Sequence, residues 1–177
     1  SGRAPTRGGK KAIIRIGKKE DRELVPVLLY GIEIVIKSGI IERKETGNGG
    51  GAVYTIGRID IEKCRSVSDS IRTDEVVVTD ERLEHIKQRH PNDFERYSQY
   101  IAEMLENPQY ILADPVPNTA VILQEIIEEG EHFRLVLKLA ITEDVPHKKN
   151  SIITFLKISE KKFRKYLRNK EILYKSE

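Results

Sequence analysis

The sequence predicts an α+β fold in which helices pack on an antiparallel β-sheet, with an extra N-terminal region and a closing C-terminal helix. Three observations predict it. Residues 79–107 carry the start and stop signals of two consecutive amphipathic helices, residues 110–158 hold a run of short β-branched and aromatic stretches between turn residues, and residues 160–169 return to helical spacing. Strands joined by short turns pair antiparallel, and helices gathered ahead of them cover a sheet face.

In chain order, residues 1–11, "SGRAPTRGGKK", are rich in Gly, Pro and cations and are expected to be a loose linker or the remnant of a cut boundary. Residues 12–56 form an N-terminal region of unassigned role. Within it "AIIRI" (12–16) is a strand candidate, and Asp21–Ile36 permits a helix through Leu24, Leu28 and Val35 although "IEIVI" alternates like a strand; helix is the expectation. "KETGNGGGA" (44–52) predicts a flexible loop, and "VYTIGRIDI" a strand with a turn at Gly57. The main domain spans 57–177.

"EVVVT" (75–79) is a strand whose last residue, Thr79, caps a helix with Asp80 and Glu81 in its first turn and Lys87, Arg89 and His90 in its last, the arrangement that the helix dipole favours. Pro91 stops it. Asn92 then caps a second helix, with Glu95 three residues on and Phe94, Tyr97, Ile101, Met104 and Leu105 on one face, and Asn107-Pro108 ends it. The strands "YILAD", "TAVILQEII", "HFRLVLKLAIT" and "SIITFLKIS" follow, the second and third joined by the turn "EEGE" and the last two by the basic loop "EDVPHKKN". In the final helix "EKKFRKYLRN", Phe163, Tyr166 and Leu167 face inward.

Composition excludes several classes. With 38% hydrophobic and 33% charged residues the chain has the balance of a folded, heavily charged domain. Its 31 basic and 28 acidic residues make a mixed surface, and the single cysteine, Cys64, allows neither an internal disulfide nor a thiolate metal site, which favours an intracellular place of work. The longest apolar run, Leu24–Ile41, is broken by Pro26, Glu33 and Lys37 and is too short for a membrane span. There is no Walker loop, dinucleotide fingerprint, HExxH or nucleophile elbow, and His85, His90, His132 and His147 lack the spacing of a metal motif.

The residues leave the chemistry open between bland and sharp readings. In "DERLEHIKQRHP" (80–91), Leu83 and Ile86 define the apolar side, with His90 close to it and His85 turned away beside Arg82 and Arg89; a surface histidine and a packed C-terminal histidine account for both. In "HFRLVLKLAIT", Arg134 and Lys138 share one face at about 13 Å, either a solvated sheet face or a pair of cations lining an anion site. Ser151 and Thr154 offer hydroxyls, but both faces of their strand are partly apolar, so the inward one is not assignable.

From about Gly57 to Lys175, roughly two thirds of the chain, "HIKQRHP", "NPQYIL", "NTAV", "FRLVLKLAI" and "NSIITF" occur in an order that resembles the PBECR nuclease domains, the phage-associated group related to barnase, EndoU, the tRNA-cleaving colicins and RelE. The resemblance implies a BECR (RelE–barnase-like) fold and a metal-independent endoribonuclease without a cofactor, carried as a toxin by a phage particle or a competing cell and acting in the bacterial cytoplasm. Its partners would be RNA, tRNA included, and a cognate immunity protein or antitoxin. It places catalysis at His85, with His90 as rival, Arg134, Lys138, Ser151 and Thr154, and RNA contacts at Arg89, Asn118, Thr119, Lys148, Lys149, Asn150 and Lys157. No glutamate stands out as a general base. In such chemistry the ribose 2'-hydroxyl attacks the adjacent phosphorus, a group titrating near neutrality such as histidine moves protons, and cations hold the charge that develops. A noncatalytic RNA-binding or phage structural module, or a protein-interaction domain docking through the basic last helix, would share the same scaffold.

Overall fold

The computed structural model describes residues 27–29, 32–34, 43–44, 52–91, 93–127 and 129–177. The tail 1–11, the strand expected at 12–16, the glycine-rich residues 45–51 and the expected cap Asn92 lie outside them. Two short strands, β1 (Val27–Leu29) and β2 (Ile32–Ile34), pair antiparallel. Of the helix expected over Asp21–Ile36, the described residues 27–29 and 32–34 are strand instead, the rest of that span lying outside the described residues; Val27, Ile32 and Ile34 are β-branched, and Pro26 in the sequence lacks the N–H that a helix interior uses.

Among the described residues the remaining strands form one eight-stranded sheet. They are β3 (Arg43–Lys44), β4 (Val53–Arg58), β5 (Glu75–Thr79), β6 (Tyr110–Leu112), β7 (Thr119–Ile126), β8 (Glu131–Lys138), β9 (Asn150–Ile158) and β10 (Ile172–Lys175), in the order β10-β6-β7-β8-β9-β5-β4-β3. The α+β class is as expected, but the sheet is mixed. β5 and β9 run parallel while the other neighbours are antiparallel. A parallel pair needs a long crossover, and the helical segment between β5 and β6 supplies it.

The short α1 (Ile61–Cys64) is capped by Asp60, whose carboxylate accepts from Lys63 N. Helix α2 (Asp80–Arg89) begins as its sequence predicts, with the Thr79 hydroxyl accepting from Arg82 N at 3.3 Å, and ends at His90, whose N–H donates to Ile86 O ahead of Pro91. The second helix is segmented into α3 (Asp93–Tyr97), a 3₁₀ turn (Ser98–Tyr100) and α4 (Ile101–Glu106). Its predicted apolar face, Phe94, Tyr97, Ile101, Met104 and Leu105, is buried throughout.

Gly57 lies inside β4, where a turn was expected. The β4–β5 register slips between Thr55 and Gly57, and a Cβ at Gly57 would stand 3.3 Å from Leu105 Cδ1, so α4 lies close against that point of the strand. The chain turns only after Ile59, where Asp60 starts α1.

Two apolar layers separate the faces of the sheet. On the first, Val76, Val78, Phe133, Leu135, Leu137, Ile152 and Phe155 pack with Leu83 and Ile86 of α2 and the buried residues of α3 and α4. On the second, α5 (Glu160–Asn169), capped by the Ser159 hydroxyl, lays Phe163, Tyr166 and Leu167 on Leu112, Val121, Leu123, Leu156 and Ile158. α5 is only ten residues, about 15 Å, so it spans part of the second face. No helix among the described residues is long and apolar enough to cross a membrane.

Candidate functional site

Register decides which polar residues share the second face, because residues directly opposite in neighbouring strands point the same way. Thr119, Lys138 and Ser151 form one row across β7, β8 and β9; Val121, Val136 and Thr154 form the next; Leu123, Arg134 and Leu156 the third; Glu125, His132 and Ile158 the fourth. Ser151 and Thr154 share this face only because the β8–β9 register shifts between Val136 and Leu137, leaving Ile153 as an extra residue. The face therefore carries two cations, three hydroxyls and a histidine over an aliphatic floor.

Arg134 and Lys138 are half-buried, and neither forms an ion pair with any described residue. Arg134 donates Nη1 to the Tyr166 hydroxyl, its guanidinium stands 5.5 Å from the centre of the Tyr166 ring, and its buried Nε has no partner. Lys138 donates to the Pro117 carbonyl alone. Several other cations are ion-paired: Lys148 meets Asp144 at 2.6 Å, Lys149 meets Glu75 at 2.5 Å and Arg58 meets Asp74 at 2.7 Å. A half-buried guanidinium without a counter-charge has lost hydration and not yet regained it from protein acceptors, which is the state that an incoming phosphate relieves.

The helix histidines stand elsewhere. α2 packs on the first face through Leu83 and Ile86, so His85, exposed on its outer side, and His90, half-buried at its C-terminus, lie in the helical layer across the sheet from Arg134 and Lys138. The structure does not bring imidazole and cations together in the way expected of His85 or His90; the apolar pair at 83 and 86 turns α2 onto the other face. Arg89 is exposed on the same helix.

The expected RNA contacts divide similarly. Asn150 is fully buried: its Oδ1 accepts from Ala140 N at 2.8 Å and its Nδ2 donates to the carbonyls of Thr73 (2.7 Å) and Glu75 (3.1 Å), so its side chain is a clamp between segments and not a ligand contact. Lys157 stands opposite Phe133, on the first-face side, and the Glu131 carboxylate 3.0 Å away raises its ammonium above the usual lysine range. Thr119 is 6% exposed and donates to Pro117 O at 3.2 Å. Asn118 takes a left-handed backbone (φ 54°), and its carbonyl accepts from Leu139 N, which sets the turn beside Thr119 and Lys138. Among the described residues, no group of three or more His, Cys, Asp and Glu is placed to hold a metal ion.

Three residues on this face escaped sequence reasoning. His132 is one step of alternation before Arg134, Glu125 is its cross-strand partner, and Tyr166 was legible only as an inward-facing aromatic. The first lay within reach of the period-2 pattern; the other two needed register and packing.

Comparison with protein families finds that the model described as phage-Barnase-EndoU-ColicinE5/D-RelE like nuclease 2 matches residues 52–175. The chain belongs to that family. The match takes in β4 through β10, so it begins ahead of Gly57, at the start of β4, and covers both layers of the sheet. Comparison with curated proteins and with solved structures finds no match. The domain is therefore a nuclease domain by family.

Proposed function

We propose that this nuclease domain is a metal-independent endoribonuclease whose phosphodiester site is the second face of the sheet. The observation that carries the reading is the uncompensated pair Arg134 and Lys138, about 13 Å apart along β8 by strand rise. Arg134, buried deeper and braced by Tyr166, would grip the phosphate under attack, holding two oxygens and the charge that develops as the 2'-oxygen bonds to phosphorus and the 5'-oxygen leaves. Lys138, with the hydroxyls of Ser151 and Thr154 beside it, would hold a neighbouring phosphate and fix register along the strand of RNA. We extend the proposal to a toxin role, delivered by phage or by contact and held in check by an acidic immunity protein that covers these cations, which the family resemblance supports.

The test is digestion of total RNA and of tRNA by the full chain in EDTA, with products examined for 2',3'-cyclic phosphate ends. Arg134→Ala is expected to lower kcat by about 100-fold to 1,000-fold, the scale on which a transition-state charge donor acts, and His85→Ala to leave cleavage within about twofold of wild type, as for a surface group away from the site. No cleavage under these conditions, or salt-sensitive RNA binding without turnover, would replace the enzyme by a binding module. Loss of activity in His85→Ala with Arg134→Ala intact would move the site to the helical face.

A further inference from the structure

We infer that His132, with Glu125 beside it, is the proton-transfer group of the second face, and that Tyr166, bonded to Arg134, is the second such group; the inference rests on the endoribonuclease reading and names the acid and base which that reading lacks. His132 and Glu125 are cross-strand partners on β8 and β7, and the imidazole Nε2 lies 3.9 Å from the Glu125 carboxylate. On its other side the imidazole packs against Phe163 of α5, ring centres 4.6 Å apart. Register and packing thus hold the ring in place, with a carboxylate on one side of it and an aromatic ring on the other.

Position along β8 gives the pair its meaning. His132 is two residues from Arg134 on the same face, about 6.6 Å by strand rise, within reach of one nucleotide bound at the guanidinium. The other histidines lack this relation: His85 and His90 belong to the helical layer, and His147 is exposed in the β8–β9 loop. The carboxylates nearest in kind are already occupied, Glu75 by Lys149 and Glu131 by Lys157, whereas Glu125 forms no ion pair with a lysine or arginine among the described residues. The groups around His132 are Glu125 from β7, Arg134 along β8, uncharged Ile158 from β9 and Phe163 from α5. The His132 side chain is 13% exposed and that of Glu125 43% exposed, so the dyad meets solvent chiefly on its Glu125 side.

The step balances with these groups. Neutral His132 takes the proton of the ribose 2'-hydroxyl as the 2'-oxygen bonds to phosphorus, and Glu125 stabilises the resulting imidazolium. The bond from phosphorus to the 5'-oxygen breaks, and that oxygen takes a proton from Tyr166. The Tyr166 oxygen accepts from Arg134 Nη1, which leaves its own hydrogen free to donate and places the guanidinium beside the phenolate formed. Water then returns a proton to Tyr166 and removes one from His132, and the product is a 2',3'-cyclic phosphate with a free 5'-hydroxyl.

Kinetics of RNA cleavage in EDTA, with added imidazole, test the assignment. His132→Ala is expected to lose about 100-fold to 10,000-fold in kcat, with millimolar imidazole restoring part of it, since the substitution opens a space beside Phe163; Tyr166→Phe is expected to lose kcat without rescue. His132→Gln keeps the volume should the alanine variant fold poorly, and Glu125→Gln, at a half-exposed position, is expected to lower kcat by about tenfold at unchanged KM, in proportion to one lost carboxylate–imidazole contact. His132→Gln or Glu125→Gln at wild-type kcat, while Arg134→Ala remains inactive, overturns the dyad and leaves the endoribonuclease standing. A wild-type chain that cleaves no RNA overturns both.

Discussion

Asn150→Ala should cost the fold far more than it costs any contact with RNA. The side chain is fully buried and makes three hydrogen bonds, accepting from Ala140 N and donating to the carbonyls of Thr73 and Glu75. Alanine removes all three and strands one N–H and two carbonyl oxygens near the start of β9, beside the single parallel contact of the sheet. At about 1 kcal/mol net for each bond, plus about 1–3 kcal/mol for a buried group left unsatisfied, the loss comes to about 4–6 kcal/mol. With a urea m-value of about 2 kcal/mol/M for a domain of this size, the unfolding midpoint should fall by about 2–3 M. Asn150→Asp should be no milder, because a carboxylate keeps the Ala140 bond but confronts the two carbonyls without a proton to give. Urea titration followed by circular dichroism measures it. A midpoint within about 0.5 M of wild type at unchanged slope would refute the clamp, and weakened RNA binding in that stable variant would restore Asn150 as a ligand contact.

Three further outcomes follow from particular side chains. Lys138→Ala should weaken RNA binding evenly across sequences and reduce the slope of log affinity against log salt by about one, measured by filter binding across a salt series, because on the proposed function it removes one phosphate contact. Burial pushes the Cys64 thiol up to about 12, so at pH 8 the native chain should resist a disulfide reagent and react fully once unfolded; because the folded value lies above the unfolded one, this group's contribution is present below the ordinary thiol range and fades as pH rises beyond it. The Lys148 ammonium, and then the Ile141 N–H, hold the Asp144 carboxyl below its usual value. That stabilisation is present above the ordinary carboxylate range and disappears as pH falls through the depressed folded value, so Asp144→Asn should flatten the acid limb of a thermal-stability profile below pH of about 4.

The helices and most strands were legible because their signals are local. Thr79 caps α2, Pro91 follows its last turn, and the apolar residues from Phe94 to Leu105 recur at helical spacing, so no distant contact was needed to place them. The segment around Val27–Ile34 was misread because a short run of aliphatic residues satisfies both periods, and the deciding preference is the β-branched content and the proline ahead of it. Gly57 was misread as a turn because glycine's two uses, positive φ and close approach, look alike in sequence; only the α4 backbone and Leu105 behind it tell them apart. β10 and the parallel pairing of β5 with β9 depend on contacts between residues far apart in the chain, for which sequence spacing carries no signal.

The candidate site was half legible, and the division has one physical source. Alternation along a single strand is local, so Arg134 and Lys138 could be put on one face; which helix covers the opposite face is not local, and that fact removes His85 and His90 from them. The same dependence acts in β9. Strict alternation would set Ser151 and Thr154 on opposite sides, yet one extra residue, Ile153, turns both toward the cations. A bulge at that place reverses the sense of every position before it, so it converts a strand with two mixed faces into one with a buried apolar side, Ile152 and Phe155, and a hydroxyl side facing Lys138 and Val136. Deleting Ile153 should therefore do more than shorten β9: it would either turn Ser151 inward against the helical layer or drag Ile152 out of the core, and in both cases separate the hydroxyls from the cations. The cationic face is thus a product of register, and its chemistry depends on a single inserted residue as much as on the charged groups themselves.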